Sequence, residues 1–336
     1  MSGVPHSLTE LQETAVLPST QPAKAAGSEA ACLFCGGRLE QSESGLFDTR
    51  FGIAGKYDVR RCLDCELEQL SPIPDPASLK ALYESHYNFG GETNTLYTRL
   101  RERFFRSFVY RLWIWIDGDI SFHLRKGSGR LLDIGCNEGR GLRIYARNGF
   151  HVEGLELNET AAAVARQAGF EVYTQLLEDF KPSFPYAVAV LSNVLEHSLN
   201  PRQMLLDVQR ILASRGQIWI SCPNGRSWLR AIFGRYWINW HIPFHISHFN
   251  SDTLRHLLED TGFENIEMHQ ITPALWVTQS IIACFFSREG EKTRKLRHPV
   301  LTLLLLMFAR SFLFPVLWLG NRLGHGDCLL ATATKA

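Results

Sequence analysis

From residue 130 to the end of the chain, short apolar runs alternate with longer stretches in which apolar side chains recur every three or four positions. A short continuous apolar run suits a buried strand, whereas the three-to-four spacing puts one apolar stripe on a helix. Their alternation predicts an α/β domain on a parallel sheet over 129–336, with strands at 130–135, 151–156, 171–174, 186–191, 217–222 and 264–271. A last strand fits Asp327–Thr334. Upstream, 76–88 and 94–125 read as helices, the second carrying Leu100, Phe104, Phe108, Leu112 and Trp115 as a packing stripe, so 73–128 forms a helical linker or lid. Residues 1–30 are small, polar and proline-containing and read as a disordered tail, without the basic start and apolar run of a secretory signal.

One stretch breaks the alternation. Residues 299–320 approach the roughly 20-residue length of a membrane span, inside an apolar helical insertion at 273–325. If the sixth and seventh strands flank it in one sheet, a single crossing would put them on opposite sides of a bilayer, which excludes a single span. Arg310 and Pro315 interrupt the run, so one or two helices are expected. Two placements stay open: peripheral contact with a membrane, where Lys292, Arg294, Lys295 and Arg297 would meet anionic headgroups, or burial as a hairpin or dimer contact.

The 35 basic and 34 acidic residues leave a formal charge of +1, so no nucleic-acid partner is expected. Of the eight cysteines, four form two tight pairs, Cys32-x-x-Cys35 and Cys62-x-x-Cys65. Each such turn aims two thiolates at one point, and two turns complete the four-sulfur tetrahedron that zinc favours, with no open position. Residues 31–72 are therefore read as a small zinc-ribbon-like module with structural zinc, the alternative being reduced or redox cysteines. That usage suits a reducing, cytoplasmic setting.

The first strand of the α/β domain runs into Asp133-Ile-Gly135-Cys-Asn137-Glu-Gly139-Arg-Gly141. Glycines at such a turn remove the Cβ that would block a ligand, and the helix that follows offers free amides. The second strand ends in Glu156, where a carboxylate can accept from both hydroxyls of a ribose. Together they specify a nucleoside ligand. Gly135, Gly139 and Gly141 also fit the spacing of short-chain NAD(P)-dependent oxidoreductases, but those enzymes need a Tyr-x-x-x-Lys pair, and no tyrosine here has a lysine four positions on.

With Leu191-Ser-Asn193-Val-Leu-Glu196-His197 and Ser221-Cys-Pro223-Asn224, the chain resembles class I S-adenosylmethionine-dependent methyltransferases over most of 130–270. The resemblance implies a Rossmann-like seven-stranded sheet and S-adenosyl-L-methionine as cofactor. It assigns the methionine part to Asp133, Gly135, Asn137 and Gly139, the ribose to Glu156, adenine to Leu177 and Glu178, and the methyl end to Asn193. Where the family usually has a glycine this chain has Asn137, a residue that tolerates positive φ. The cysteine pairs and the proline-rich segment after them are similar to the front of a subgroup linked with sugar and surface-polysaccharide modification, which implies a small-molecule acceptor, a sugar or lipid-linked glycan, methylated on a hydroxyl or carbon.

Acceptor-side chemistry falls on Trp237-Ile-Asn-Trp240-His241-Ile-Pro-Phe-His245-Ile-Ser-His248, after the fifth strand, where aromatic walls meet imidazoles. His245 is the expected base, with His197 and His248 as alternatives; each alone reads equally as a cap or a satisfied core histidine. A non-catalytic zinc-bearing adaptor that keeps the fold is the other functional class.

Overall fold

The computed structural model describes residues 31–86, 103–105 and 107–336; the tail at 1–30 and the part of the second helix that holds Leu100 lie outside the described residues. The front of the chain is a meander of β1 (Leu39–Leu46), β2 (Tyr57–Cys62) and β3 (Glu68–Ser71), followed by α1 (Pro76–His86) and α2 (Phe108–Asp117). The expected helix to 125 stops at Gly118, whose φ of +102° leaves the helical region and whose missing Cβ would lie 2.4 Å from Ile271 Cδ1.

The apolar runs become the sheet. In chain order the elements are β4 (Arg130–Ile134), α3 (Arg140–Arg147), β5 (His151–Leu155), α4 (Glu159–Gln167), β6 (Glu171–Tyr173), β7 (Tyr186–Ser192), α5 (Pro201–Ile211), β8 (Leu212–Pro223), α6 (Trp228–Phe233), β9 (Ser247–His248), α7 (Ser251–Asp260), β10 (Phe263–Ile271), α8 (Ala274–Phe286), α9 (Pro299–Phe312), α10 (Phe314–Arg322) and β11 (Cys328–Lys335). Seven of the strands form one sheet in the order β10-β11-β8-β7-β4-β5-β6. Only β11 runs antiparallel to its neighbours, which gives the Rossmann-like sheet that the pattern predicts. Leu131, Leu132, Val190, Leu191, Ile218 and Ile220 are fully buried in it, each worth about 1.5–3 kcal/mol relative to exposure.

Side chains start the helices where expected: Asn158, Asn200 and Asn250 each accept from a backbone amide in the first turn of α4, α5 and α7. β8 starts earlier than its expected residue 217. The Ser-Arg215-Gly216 turn residues form a bulge inside the strand, with Arg215 at φ +59° and a register shift against Tyr186 and Val188.

The chain leaves β4 toward β5 and β6 on one side, and returns through β7 and β8 on the other. Such a reversal opens a crevice beyond the carboxyl ends of the strands. A second sheet, β1-β2-β3-β9, ties the cysteine-bearing front to the α/β part, because β9 pairs Glu68 with His248 and Gln69 with Ser247.

The apolar insertion is mostly unburied. In α9 only Ala309 is buried, and in α10 only Leu317 and Gly320. Val300, Leu303, Leu304, Met307, Phe308, Phe312 and Trp318 are exposed. Arg310 turns inward to the Asp117 carboxylate, which also accepts from Ala274 N at 2.9 Å, pinning α9 to the ends of α2 and α8. Among the described residues no single helix is long and apolar enough to cross a membrane; α9 and α10 pass by length and composition only as a pair bent by 66°.

Candidate functional site

At the carboxyl edge of β4 the chain turns through Gly135 (φ +74°), Asn137 (φ +50°) and Gly139 (φ +73°). Asn137 does adopt the left-handed conformation that its side chain tolerates. Glu156, at the end of β5, ties this turn down: Oε2 accepts from Asn137 N at 2.9 Å and Oε1 from Asn158 N at 2.8 Å. A carboxylate has about four acceptor positions, so two remain for a ligand.

Asp133 sits beneath the same turn. It is buried, and a Cβ on Gly141 would lie 2.7 Å from Asp133 Oδ2. Burial, and after it the charge of Glu156, pushes its carboxyl up to about 7. A carboxylate at Glu156 with a second acid buried beneath the same turn disfavours the dianionic pyrophosphate of a dinucleotide there.

Next to Glu156, Leu157 is 64% exposed, and beyond β6 Leu176 is 47% exposed, a pair of bare apolar side chains after neighbouring strand ends. The side chain of the expected Leu177 is instead in the core beside Phe180, and Arg210 holds the Leu177 and Glu178 carbonyls at 3.1 and 3.2 Å. Periodicity assigns every leucine to a core, so the exposure of Leu157 and Leu176 has only a positional signal, just past a strand's carboxyl end.

Across the crevice, Asn193 (φ +55°) donates its N–H to Ser221 O at 2.8 Å. Val194 then lies against the glycine turn, its Cγ2 2.8 Å from where a Gly135 Cβ would be. The following turn, Leu195–His197, carries Glu196 and His197. The histidine-rich segment folds over it: His197 and His245 rings are 4.6 Å apart, and His245 and His241 4.8 Å. Burial pulls the His197 imidazole down to about 4 and holds His245 well below the usual range, whereas it pushes the Glu196 carboxyl up to about 8.

His248 lies at the margin of this group, its ring centroid 6.3 Å from that of His245. On β9 it packs edge-on against Trp240 with ring centroids 5.0 Å apart and lines a separate cavity with Glu68, Arg226 and Arg230, where the cysteine-bearing sheet meets the α/β part. Tyr83 of α1, not anticipated, does reach the group, its hydroxyl 2.8 Å from His197 Nδ1.

The four cysteines converge as their spacing predicts. Sγ atoms of Cys32 and Cys65 are 3.5 Å apart, as are those of Cys35 and Cys62, and all four lie within 4.8 Å of one another. A zinc–sulfur bond of about 2.3 Å in a tetrahedron requires sulfurs roughly 3.8 Å apart, so the set fits zinc. Gly37 packs tightly against this group: a Cβ would fall 3.0 Å from Cys62 Sγ and would displace the Asp64 carboxylate, 2.1 Å away.

Residues 97–268 match the methyltransferase domain family. The chain is 30% identical over 124 residues to the ubiquinone biosynthesis O-methyltransferase of Klebsiella pneumoniae, covering 34% of this chain and 51% of the relative. It is 30% identical over 141 residues to a Mycobacterium tuberculosis protein named a probable S-adenosylmethionine-dependent methyltransferase, covering 41% and 50%. The chain thus spans about half the length of the curated relatives it matches. Among solved structures it is similar to a SAM-dependent methyltransferase of Thermotoga maritima, described as a possible histamine N-methyltransferase, with TM-score 0.43, 17% identity and coverage of 71% of this chain and 99% of that one.

Proposed function

Since this chain belongs to the methyltransferase domain family, we propose that it moves the methyl group of S-adenosyl-L-methionine to a hydroxyl of a sugar-like or lipid-linked glycan acceptor. The observation that carries this reading is the contact of Val194 with the glycine turn, which sets Glu196 and His197 a few residues from the cofactor end of the crevice.

S-adenosyl-L-methionine supplies a methyl group already activated on a sulfonium, so the protein's work is alignment and handling of one proton. Asp133 and the turn at Gly135, Asn137 and Gly139 would hold the methionine part. The two free acceptor positions of Glu156 would take the ribose hydroxyls, with Leu157, Leu176 and the Leu177–Glu178 backbone flanking adenine, and Asn193 would face the methyl end. His245 is the first candidate to take the acceptor proton and His197 the second; both present neutral rings near neutral pH. His248, beside His245 and at the joint between the two sheets, is the third candidate.

Zinc at Cys32, Cys35, Cys62 and Cys65 is proposed as structural, since four sulfurs leave no open position. The α9–α10 pair is proposed to lie on an anionic lipid surface at the inner face of a membrane, from the cytoplasmic side. Its exposed apolar side chains argue against burial, and Lys292, Arg294, Lys295 and Arg297 just before α9 supply matching charge. Calorimetry with S-adenosylmethionine and its demethylated product tests the core of the reading: binding of neither ends it, and binding with no turnover over a panel of glycan and lipid-linked acceptors favours a non-catalytic adaptor.

A further inference from the structure

Glu196 is 1% exposed, and among the described residues neither of its carboxylate oxygens has a hydrogen-bond partner. A buried carboxylate without a donor is costly, so a ligand or proton must answer it. Buried thiols of Cys222 and Cys328 lie near enough to feel its charge, and two imidazoles approach it directly: Nε2 of His245 is 3.9 Å from Glu196 Oε1, and donor atoms of Glu196, His197 and His245 all lie within 4.8 Å of one another.

The outer nitrogens fix the tautomers. His245 Nδ1 is 2.8 Å from Asn239 O, and His197 Nδ1 is 3.1 Å from Phe244 O. A carbonyl oxygen can only accept, so each Nδ1 carries the proton and each Nε2 is left with its lone pair. The Tyr83 hydroxyl, 2.8 Å from His197 Nδ1, serves as a second acceptor of the same N–H. Histidines whose outer N–H is anchored on a backbone carbonyl are the usual second-sphere pattern of metal ligands.

We propose that Glu196, His197 and His245 hold a divalent transition-metal cation of the zinc class, separate from the four-cysteine site. Two imidazoles and one carboxylate leave coordination positions open, the mark of a working site and not a structural one. Ligand bonds of about 2.0–2.2 Å require the three donor atoms to draw in by less than about 1.5 Å. This role rests on the methyl-transfer reading: the acceptor's hydroxyl would enter an open position, where a cation acidifies a bound O–H as it does bound water. The proton then leaves to solvent water, and the base role proposed for His245 becomes that of a ligand.

The test is metal content of the full chain equilibrated with zinc alone and then freed of unbound ion. Two zinc ions per chain are expected for the wild type, and one for Glu196→Gln and for His245→Gln, with binding of S-adenosylhomocysteine kept in both variants as proof of folding. One zinc in the wild type overturns the proposal whatever the variants do, and so do two zinc ions in either variant. If two zinc ions are bound but S-adenosylhomocysteine is not, the cation site stands and the methyltransferase reading falls.

Discussion

Glu156→Ala separates the ribose role of this carboxylate from its role in the loop. The side chain already accepts two backbone amides, at 2.9 and 2.8 Å, and it is half-buried, so water can replace it at those amides. The stability loss is then about 1–2 kcal/mol. A ribose diol would add two charge-assisted bonds, and losing both costs about 2–4 kcal/mol of affinity, or roughly 30- to 1,000-fold in Kd. Titration calorimetry with S-adenosylhomocysteine reads this, and adenosine, which has the ribose but no methionine part, reports on it separately. Both ligands should weaken by the same factor in Glu156→Ala, with Glu156→Gln in between. An unchanged adenosine Kd would refute the ribose assignment even if S-adenosylhomocysteine weakened, because that pattern means only the glycine turn had shifted.

Burial, then Glu156, holds Asp133 at about 7, so between about pH 4 and 7 the unfolded chain has lost a proton that the folded chain keeps. Stability therefore falls as pH rises through that window, by up to about 4 kcal/mol; Asp133→Asn should flatten the profile of Tm against pH there, and an unaltered slope would contradict this. Cys62→Ser should lower zinc content by one per chain and Tm by roughly 5–10 °C, while speeding exchange of the His248 amide through the loosened β3–β9 pair; full zinc retention would sink the four-sulfur site. The wild type should co-sediment with vesicles containing anionic phospholipid, and Leu304→Glu, at a side chain 65% exposed, should weaken this roughly 10- to 100-fold. Equal sedimentation of the variant would rule out α9 as the docking face.

What was legible in the sequence was what depends on local pattern. The strands ending at Gly135 and Glu156 are short apolar runs with a polar break, and Asn137 is a residue whose own φ preference gives the turn away. The cysteine pairs carry their geometry in their spacing. What escaped depends on partners far along the chain. The two-residue β9 exists only because β3, some 180 residues earlier, pairs with it, and that pairing puts His248 between the His245 ring and the cavity that holds Glu68 and Arg230. Leu177 and Leu176 have the same side chain, and only the path after β6 decides which is buried. The bulge at Arg215 and the stop at Gly118 had local cues, a Ser-Arg-Gly run and an Asp-Gly pair, that the surrounding apolar pattern outweighed. The approach of His245 Nε2 to Glu196, with His197 beside them, has no sequence signature, since it depends on backbone carbonyls orienting the rings.

The central claim is that the crevice between β4 and β7 binds S-adenosylmethionine. Its most direct measurement is titration of the full chain with S-adenosylhomocysteine beside NAD and NADP. One S-adenosylhomocysteine per chain, with no heat from either dinucleotide, is predicted; dinucleotide binding, or no S-adenosylhomocysteine binding by folded protein, would contradict the account.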